Sequence, residues 1–102
     1  MLELRPNCEL CDCDLPPEAT NARICTYECT FCAGCVDDVL SNVCPNCGGG
    51  FVPRPIRPLQ ARREGLSRIH QPATTVRKAA KFRKAEMVGF AALHKDVGPA
   101  DR

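Results

Sequence analysis

Residues 25–35 read Cys-Thr-Tyr-Glu-Cys-Thr-Phe-Cys-Ala-Gly-Cys, and residues 44–47 read Cys-Pro-Asn-Cys. The upstream segment 8–11, Cys-Glu-Leu-Cys, brings eight of the nine cysteines into four close pairs. Thiolates are soft ligands, and four of them close a tetrahedral zinc site. Eight thiols in this spacing therefore predict two Zn²⁺ ions per chain, each held by protein ligands alone and hence structural.

The spacing leaves two ligand arrangements open, because neighbouring pairs can share a zinc or alternate pairs can. Disulfides are the other common use of so many cysteines, but the count of nine is odd. The opening Met-Leu-Glu-Leu-Arg-Pro-Asn also lacks the apolar segment of a secretory leader. We therefore expect reduced thiols in a cytoplasmic protein with no membrane-spanning segment.

Cys13 is the cysteine that the four pairs leave over. It can be a plain small residue, a surface thiol or a substitute ligand for Cys11. Reactive thiols need an exposed, electropositive setting, and Cys13 lies between Asp12 and Asp14. The sequence therefore favours the plain small residue.

The apolar residues predict a small α+β fold around the metal. Residues 22–31 are rich in β-branched and aromatic side chains and predict a short hairpin. Beyond them, a short helix is predicted to end before Cys44, because four apolar residues recur at the spacing of one helix face. These four residues are Val36, Val39, Leu40 and Val43. The chain has no Trp, one Tyr and four Phe, so we expect the metal to decide whether this half folds.

The order and gaps of the eight paired cysteines resemble a RING finger, with Cys29 where most members have histidine. Phe31 before the fifth ligand, the short helix and the Cys-Pro-Asn-Cys knuckle are also similar to that family. The resemblance implies a treble-clef fold with a cross-brace, in which alternate pairs share a zinc. It assigns site 1 to Cys8, Cys11, Cys32 and Cys35, and site 2 to Cys25, Cys29, Cys44 and Cys47.

Three segments carry a closer resemblance: the opening Leu-Glu-Leu-Arg-Pro-Asn-Cys-Glu, residues 28–32 and the Cys-Pro-Asn-Cys-Gly-Gly at 44–49. They resemble a small, mostly bacterial family called "domain of unknown function 1272", which is uncharacterised. That resemblance implies the fold and the metal, and it implies no activity. Residues 70–76 are similar to the end of those proteins, so residues 78–102 are interpreted as an extension.

Many RING fingers are ubiquitin ligases that dock a conjugating enzyme in an apolar groove between the zinc loops. Leu10 and Pro45 occupy the matching positions here. The short helix lacks that family's tryptophan, and Gly48 stands where active members often carry a basic side chain. These departures count against ligase activity, which stays as an alternative function.

Charge is divided between the two halves of the chain. Residues 1–50 carry two basic and eight acidic side chains, a net charge of −6, whereas residues 51–102 carry twelve basic and four acidic side chains, a net charge of +8. A basic tail can contact nucleic-acid phosphates, or it can be solvated or dock on the acidic half, which the sequence slightly favours. The candidate phosphate contacts are Arg62, Arg63, Arg68, Arg77, Lys78, Lys81, Arg83 and Lys84.

The sequence divides the chain into three parts. Residues 1–50 form the two-zinc finger, residues 51–74 a proline-rich linker, and residues 75–102 a basic tail with a helix over 75–95. We expect a non-enzymatic, zinc-binding interaction module with a protein partner. The alternatives are a ligase-like adaptor and nucleic-acid binding through the tail.

Overall fold

The computed structural model describes all 102 residues. The helices and strands are short and are joined by long irregular segments. Contacts made by these segments therefore hold much of the chain in place. The strands are β1 (Ala22–Ile24), β2 (Thr30–Cys32) and β3 (Val52–Pro53). The helices are α1 (Ala33–Cys35), which continues as a π-helical turn (Val36–Leu40), α2 (Lys84–His94) and a 3-10 turn (Pro99–Asp101).

The predicted hairpin is present as strands β1 and β2. They pair antiparallel, with Ala22 opposite Cys32 and Ile24 opposite Thr30. Strand β3 pairs with the other side of β1, which gives the order β2-β1-β3. Part of the predicted linker therefore belongs to the sheet, where Pro53 is tolerated because it lies on an edge strand.

The predicted short helix follows the hairpin directly. Cys32 caps α1, because its sulfur accepts the backbone N–H of Cys35 at 3.4 Å. The π-helical turn ends at Ser41, which takes the left-handed conformation with φ 48°. The predicted apolar face points into the protein, with Val36, Leu40 and Val43 buried and Val39 half-buried.

The core is centred on Phe31, which is fully buried. Its ring packs edge-on against Phe51 with the ring centroids 5.4 Å apart. Five cysteines belong to the same buried cluster: Cys8, Cys25, Cys29, Cys32 and Cys44. The thiols are thus part of the core, so a bound metal and apolar packing would stabilise the same region.

Two arginines bind the predicted linker to the finger. Arg54 is buried, and its guanidinium donates to three backbone carbonyls at 2.8 to 3.1 Å. The Arg57 guanidinium donates to two more, at 2.6 and 2.7 Å. The acceptors of Arg54 are the carbonyls of Arg5, Leu15 and Pro16. This segment therefore lies along the finger instead of leading away from it.

The helix of the tail is shorter than predicted, because it is confined to α2 and residues 75–83 are not helical. Within that segment the Asn7 side chain accepts the backbone N–H of Lys78 at 3.1 Å and donates to the Lys78 carbonyl at 2.7 Å. The Ala80 N–H donates to the carbonyl of Glu9 at 2.8 Å. Backbone groups that bind the finger do not form helical hydrogen bonds, so these contacts override the local helix propensity.

Helix α2 packs against the π-helical turn of the finger. Met87 and Ala91 are its buried residues, and Met87 belongs to the same cluster as Phe31. With eleven residues α2 is the longest helix, and none of the helices has the length and apolar character that crossing a bilayer requires.

Candidate metal centres

The first thiol group consists of four sulfur atoms that all lie within 4.8 Å of one another, those of Cys8, Cys11, Cys13 and Cys32. The Cys11 and Cys32 sulfurs are 3.8 Å apart. A tetrahedron with Zn–S bonds of about 2.3 Å has edges of about 3.8 Å. The group therefore has the size of one tetrathiolate metal centre.

Cys35 lies beside the first thiol group but outside the set defined by the 4.8 Å limit. It is half-buried at the end of α1, and its backbone N–H donates to the Cys32 sulfur at 3.4 Å. Burial, followed by the neighbouring thiols of Cys32 and Cys8, raises its pKa. Cys13, interpreted from the sequence as a plain small residue, lies inside the set. Five thiols therefore surround a centre for which zinc needs four.

The second thiol group consists of Cys25, Cys44 and Cys47, whose sulfurs lie within 4.8 Å of one another. Cys29 is buried next to them but outside that set, and its backbone carbonyl accepts the Cys25 N–H at 3.3 Å. The neighbouring Cys44 thiol lowers the pKa of Cys25 to about 5, and Cys25 in turn raises the pKa of Cys44. The thiolate form, which binds metals, is thereby favoured at Cys25.

The two thiol groups draw on alternate cysteine pairs. The first combines Cys8 and Cys11 with Cys32, and the second combines Cys25 with the pair at 44–47. Strand β2 explains the separation, since it runs from just after Cys29 to Cys32. Three residues of extended chain span about 10 Å, so these two cysteines face different groups.

Backbone N–H groups point at four of the sulfur atoms, a feature that the sequence reasoning missed. Each group contains two such hydrogen bonds, with N to Sγ distances of 3.3 to 3.5 Å. The donors are Leu10 to Cys8, Cys35 to Cys32, Tyr27 to Cys25 and Gly49 to Cys47. An N–H donor stabilises the charged thiolate over the neutral thiol, so the loops are preorganised for a cation between them.

Glu9 is a buried carboxylate that connects the metal loops, and the sequence reasoning missed it as well. Its Oε2 accepts the backbone N–H of Thr30 at 2.6 Å and the Arg5 guanidinium at 3.3 Å. Its Oε1 accepts the side-chain amide of Asn46 at 3.4 Å. Glu9 thus joins the first metal loop to β2 and to the knuckle at 44–47. Thr30 and Asn46 lie 21 and 37 residues from it, so no local pattern marks this role.

Asn7 connects the first metal loop to the tail. Its side chain is 1% exposed and makes the two hydrogen bonds to the Lys78 backbone described above. The same amide nitrogen donates to the Cys8 carbonyl at 3.2 Å and to the Asp12 carboxylate at 2.9 Å. One buried side chain therefore fixes both the loop that carries Cys8 and the tail that crosses it.

Ion pairs engage three of the eight basic residues that could contact nucleic acid. They join Arg77 to Asp12 and Asp14, Arg68 to Glu18, and Arg83 to Glu86, at 2.8 to 3.0 Å. Hydrogen bonds with Asp14 and Asp12 raise the pKa of Arg77. The other five are exposed and make no ion pair: Arg62, Arg63, Lys78, Lys81 and Lys84. The basic tail therefore contacts acidic residues of the finger and keeps part of its charge free.

Comparison with known proteins places the finger, but not the tail, in a family. Residues 1–57 match the family described as "Protein of unknown function (DUF1272)". An uncharacterized protein of Rhizobium meliloti (strain 1021) is 66% identical over 58 residues, which cover 57% of this chain and 69% of the relative. No solved structure matches the chain. Because the match includes both thiol groups and more than half of the sequence, the chain belongs to the DUF1272 family of proteins of unknown function.

Proposed function

We propose that this protein is a non-enzymatic interaction module of the cytoplasm that binds extended peptide segments. Two structural Zn²⁺ ions stabilise its fold. The proposed cross-brace gives site 1 the ligands Cys8, Cys11, Cys32 and Cys35. It gives site 2 the ligands Cys25, Cys29, Cys44 and Cys47. Four thiolates fill the coordination of each zinc, so neither ion has a position for a catalytic water.

The chemistry of the donors supports zinc. All nine cysteines are free thiols, and the 3.8 Å between the Cys11 and Cys32 sulfurs is far longer than a disulfide bond of about 2.05 Å. Soft thiolates with tetrahedral spacing favour zinc over magnesium or calcium. The alternation of cysteine pairs between the two thiol groups supports the cross-brace over two successive sites.

Docking of the tail on the metal loops is the observation that carries the interaction function. A tail segment without helix or strand is bound as a ligand would be, through its backbone at Lys78 and Ala80. The adjacent Arg77 pairs with two carboxylates of the first loop. Backbone hydrogen bonds give affinity for any extended chain, and neighbouring charges then select a basic one. We infer that the finger presents a site for a basic peptide, which its own tail occupies.

Paired substitutions test the zinc arrangement by counting ions in native mass spectra. Cys8→Ser combined with Cys32→Ser should remove one zinc, because both ligands belong to site 1. With Cys13→Ser as the common background, so that site 1 has no spare thiol, Cys8→Ser combined with Cys25→Ser should remove both ions. Successive sites predict the reverse pattern, in which the second combination keeps one zinc, so that result would contradict the cross-brace.

A tail peptide tests the interaction function. A labelled peptide of residues 75–83 should bind a chain that ends at residue 74, and bind the full chain much more weakly because its own tail fills the site. Fluorescence anisotropy measures both, and a scrambled peptide and an added chelator are the controls. Equal binding to the two chains, or binding that survives zinc removal, would argue against this proposal.

The ligase alternative is made less favourable by the position of the tail. Pro45 borders a cavity together with Phe82, Met87 and Phe90 of the tail. Ala80 packs against the core beside the first metal loop. A conjugating enzyme that used this face would have to displace these residues. An autoubiquitination assay on the full chain and on a chain ending at residue 74 decides the matter, and activity of either would overturn the non-enzymatic proposal.

Nucleic-acid binding remains an alternative because five exposed basic residues make no ion pair. The test is a titration with double-stranded DNA and with RNA at two salt concentrations. Changing Arg62, Arg63, Lys81 and Lys84 together to Gln should remove any binding that depends on phosphate contacts, and each contact adds to the salt dependence. Salt-sensitive binding that these substitutions abolish would favour this alternative over the peptide site.

A further inference from the structure

We propose that Cys13 is an alternative fourth ligand of site 1 that can replace Cys35, so that this centre has five thiols for four coordination positions. The inference rests on the proposed zinc binding and adds a ligand that the cross-brace does not include. It concerns site 1 alone, because site 2 has no fifth cysteine near it.

The position of the Cys13 thiol supports the exchange. Its sulfur lies within 4.8 Å of those of Cys8, Cys11 and Cys32, the three ligands that the cross-brace gives to site 1. Cys35 lies beside the same group at the end of α1, where its N–H donates to the Cys32 sulfur at 3.4 Å. Cys13 and Cys35, both half-buried, therefore lie beside the same three thiols and come from different parts of the chain.

The loop that carries Cys13 has the same hydrogen bonds as the knuckle of site 2. The Cys8 N–H donates to the Cys13 carbonyl at 2.9 Å, and the Asp12 N–H donates to the Cys8 carbonyl at 3.0 Å. In the knuckle at 44–47, the Cys44 N–H donates to the Gly49 carbonyl at 2.8 Å. The Gly48 N–H donates to the Cys44 carbonyl at 2.7 Å.

The backbone conformation of the two loops also agrees. Asp12 has φ 63° and Gly48 has φ 80°, so both residues are left-handed. Cys13 is therefore the structural counterpart of Gly49, and its backbone is fixed by the turn.

Gly49 shows what a side chain at this position of a knuckle contacts. A Cβ built there would lie 3.4 Å from the Cys47 sulfur, in ordinary van der Waals contact. The equivalent residue in the first loop already has a side chain, and its sulfur can extend past Cys11 toward the metal. The turn thus directs the Cys13 thiol at the centre, and no movement of the backbone is needed.

Exchange between the two ligands needs no oxidant or reductant. With zinc bound, whichever of Cys13 and Cys35 served as the fourth ligand would give up its thiol proton to solvent, and the other would stay a protonated thiol. Zinc has no geometric preference from its d electrons, so a thiol from either element could complete its tetrahedron. Site 1 would therefore have four thiolate ligands with either cysteine bound, whereas site 2 has no such alternative.

Native mass spectrometry of three full-length variants tests the proposal. Cys13→Ser and Cys35→Ser should each keep two zinc ions, because the other thiol completes site 1. The double variant should lose one ion. The Cys29→Ser variant is the matched control and should lose one ion by itself, since site 2 has no spare thiol. One zinc in either single site-1 variant, or two in the double variant, would overturn the proposal.

Cobalt substitution tells a four-thiolate site from a weaker site completed by water. The sulfur-to-metal charge-transfer absorbance of Co²⁺-loaded Cys35→Ser should equal that of the unchanged protein, and a loss of one thiolate's share of it would overturn the exchange. Unchanged protein that binds fewer than two zinc ions would instead overturn the proposed function itself. These two failures are therefore distinguishable.

A reciprocal variant applies the same reasoning to site 2. Gly49 has no left-handed φ, so cysteine is sterically acceptable there. Adding Gly49→Cys to Cys29→Ser should restore the second zinc, because it places a fourth thiol at the position that Cys13 has in the first loop. A count that stays at one zinc would contradict the equivalence of the two turns.

Discussion

The finger and the tail of this protein are held by different contacts. In the finger, thiols that could bind metal form part of the buried core around Phe31. The tail adds Met87 to that core and packs Ala80 and Ala91 beside it, and polar contacts fix the segment that crosses the first metal loop, above all the buried Asn7 side chain. The difference indicates a one-way dependence. Loss of metal should release both parts, whereas loss of a polar contact should release the tail and leave the finger folded.

Removing zinc should have the largest effect. A structural zinc contributes on the order of 10 kcal/mol to folding, about as much as the entire stability of many small domains, which is about 5 to 15 kcal/mol. A strong chelator should therefore abolish both the far-UV circular dichroism signal and the amide protection of the tail. Zinc added back is the control, and tail amides that stay protected in the chelator would contradict the one-way dependence.

Arg54→Met should have the next largest effect. The substitution leaves three backbone carbonyls without their donor in a place that is 5% exposed. We expect a loss of about 3 kcal/mol in the free energy of unfolding. Hydrogen bonds to a charged group are worth about 1.5 to 3 kcal/mol, and buried carbonyls left without a donor destabilise the fold further. Urea denaturation of the variant and the unchanged protein measures this difference in the free energy of unfolding.

The control for Arg54 is Arg62→Met. Arg62 is exposed and makes no ion pair, so its replacement should change stability by less than about 0.5 kcal/mol. Equal effects of the two substitutions would mean that the bonds from Arg54 do not hold the linker on the finger.

Asn7→Ala should separate the tail from the finger. It removes both hydrogen bonds to the Lys78 backbone, and we expect a loss of about 2 kcal/mol. Hydrogen exchange is the sharper measurement, because the amides of Lys78 and Ala80 should lose protection while those of β1 and β2 keep theirs. The exposed Asn21→Ala is the control. Loss of protection in the sheet as well would show that the two parts unfold together.

Arg77→Gln should have the smallest effect, although the side chain makes two ion pairs. Both carboxylates are largely exposed, and exposed ion pairs contribute little because water and salt screen them. A double-mutant cycle with Asp14→Asn should give a coupling close to the limit of detection that disappears at high salt. A large, salt-independent coupling would mean that charge, and not the Asn7 contact, docks the tail.

Local patterns were sufficient to predict the hairpin and the short helix of the finger. The β-branched and aromatic residues at 22–31 form β1 and most of β2, and the apolar spacing from Val36 to Val43 marks the face that is buried. The cysteine pairs likewise identify the candidate metal ligands, because knuckle spacing is short-range. Such features need only neighbouring residues, so one sequence is enough to find them.

Long-range contacts explain what the sequence could not predict. The predicted helix over 75–95 was too long because Asn7, 71 residues away, binds the Lys78 backbone. Nothing near Asn7 or Glu9 distinguishes them from ordinary surface residues, and only the fold buries them. The place of Cys13 in the first thiol group could not be predicted for a related reason, because its position in the turn depends on backbone hydrogen bonds that the spacing does not reveal.

The central claim is that two metal ions build the finger, and the zinc count of the full chain tests it most directly. Native mass spectrometry of protein produced with zinc should show two ions per chain, and both should be lost only when the chain unfolds in a chelator. A folded chain with no zinc or with one would contradict the account.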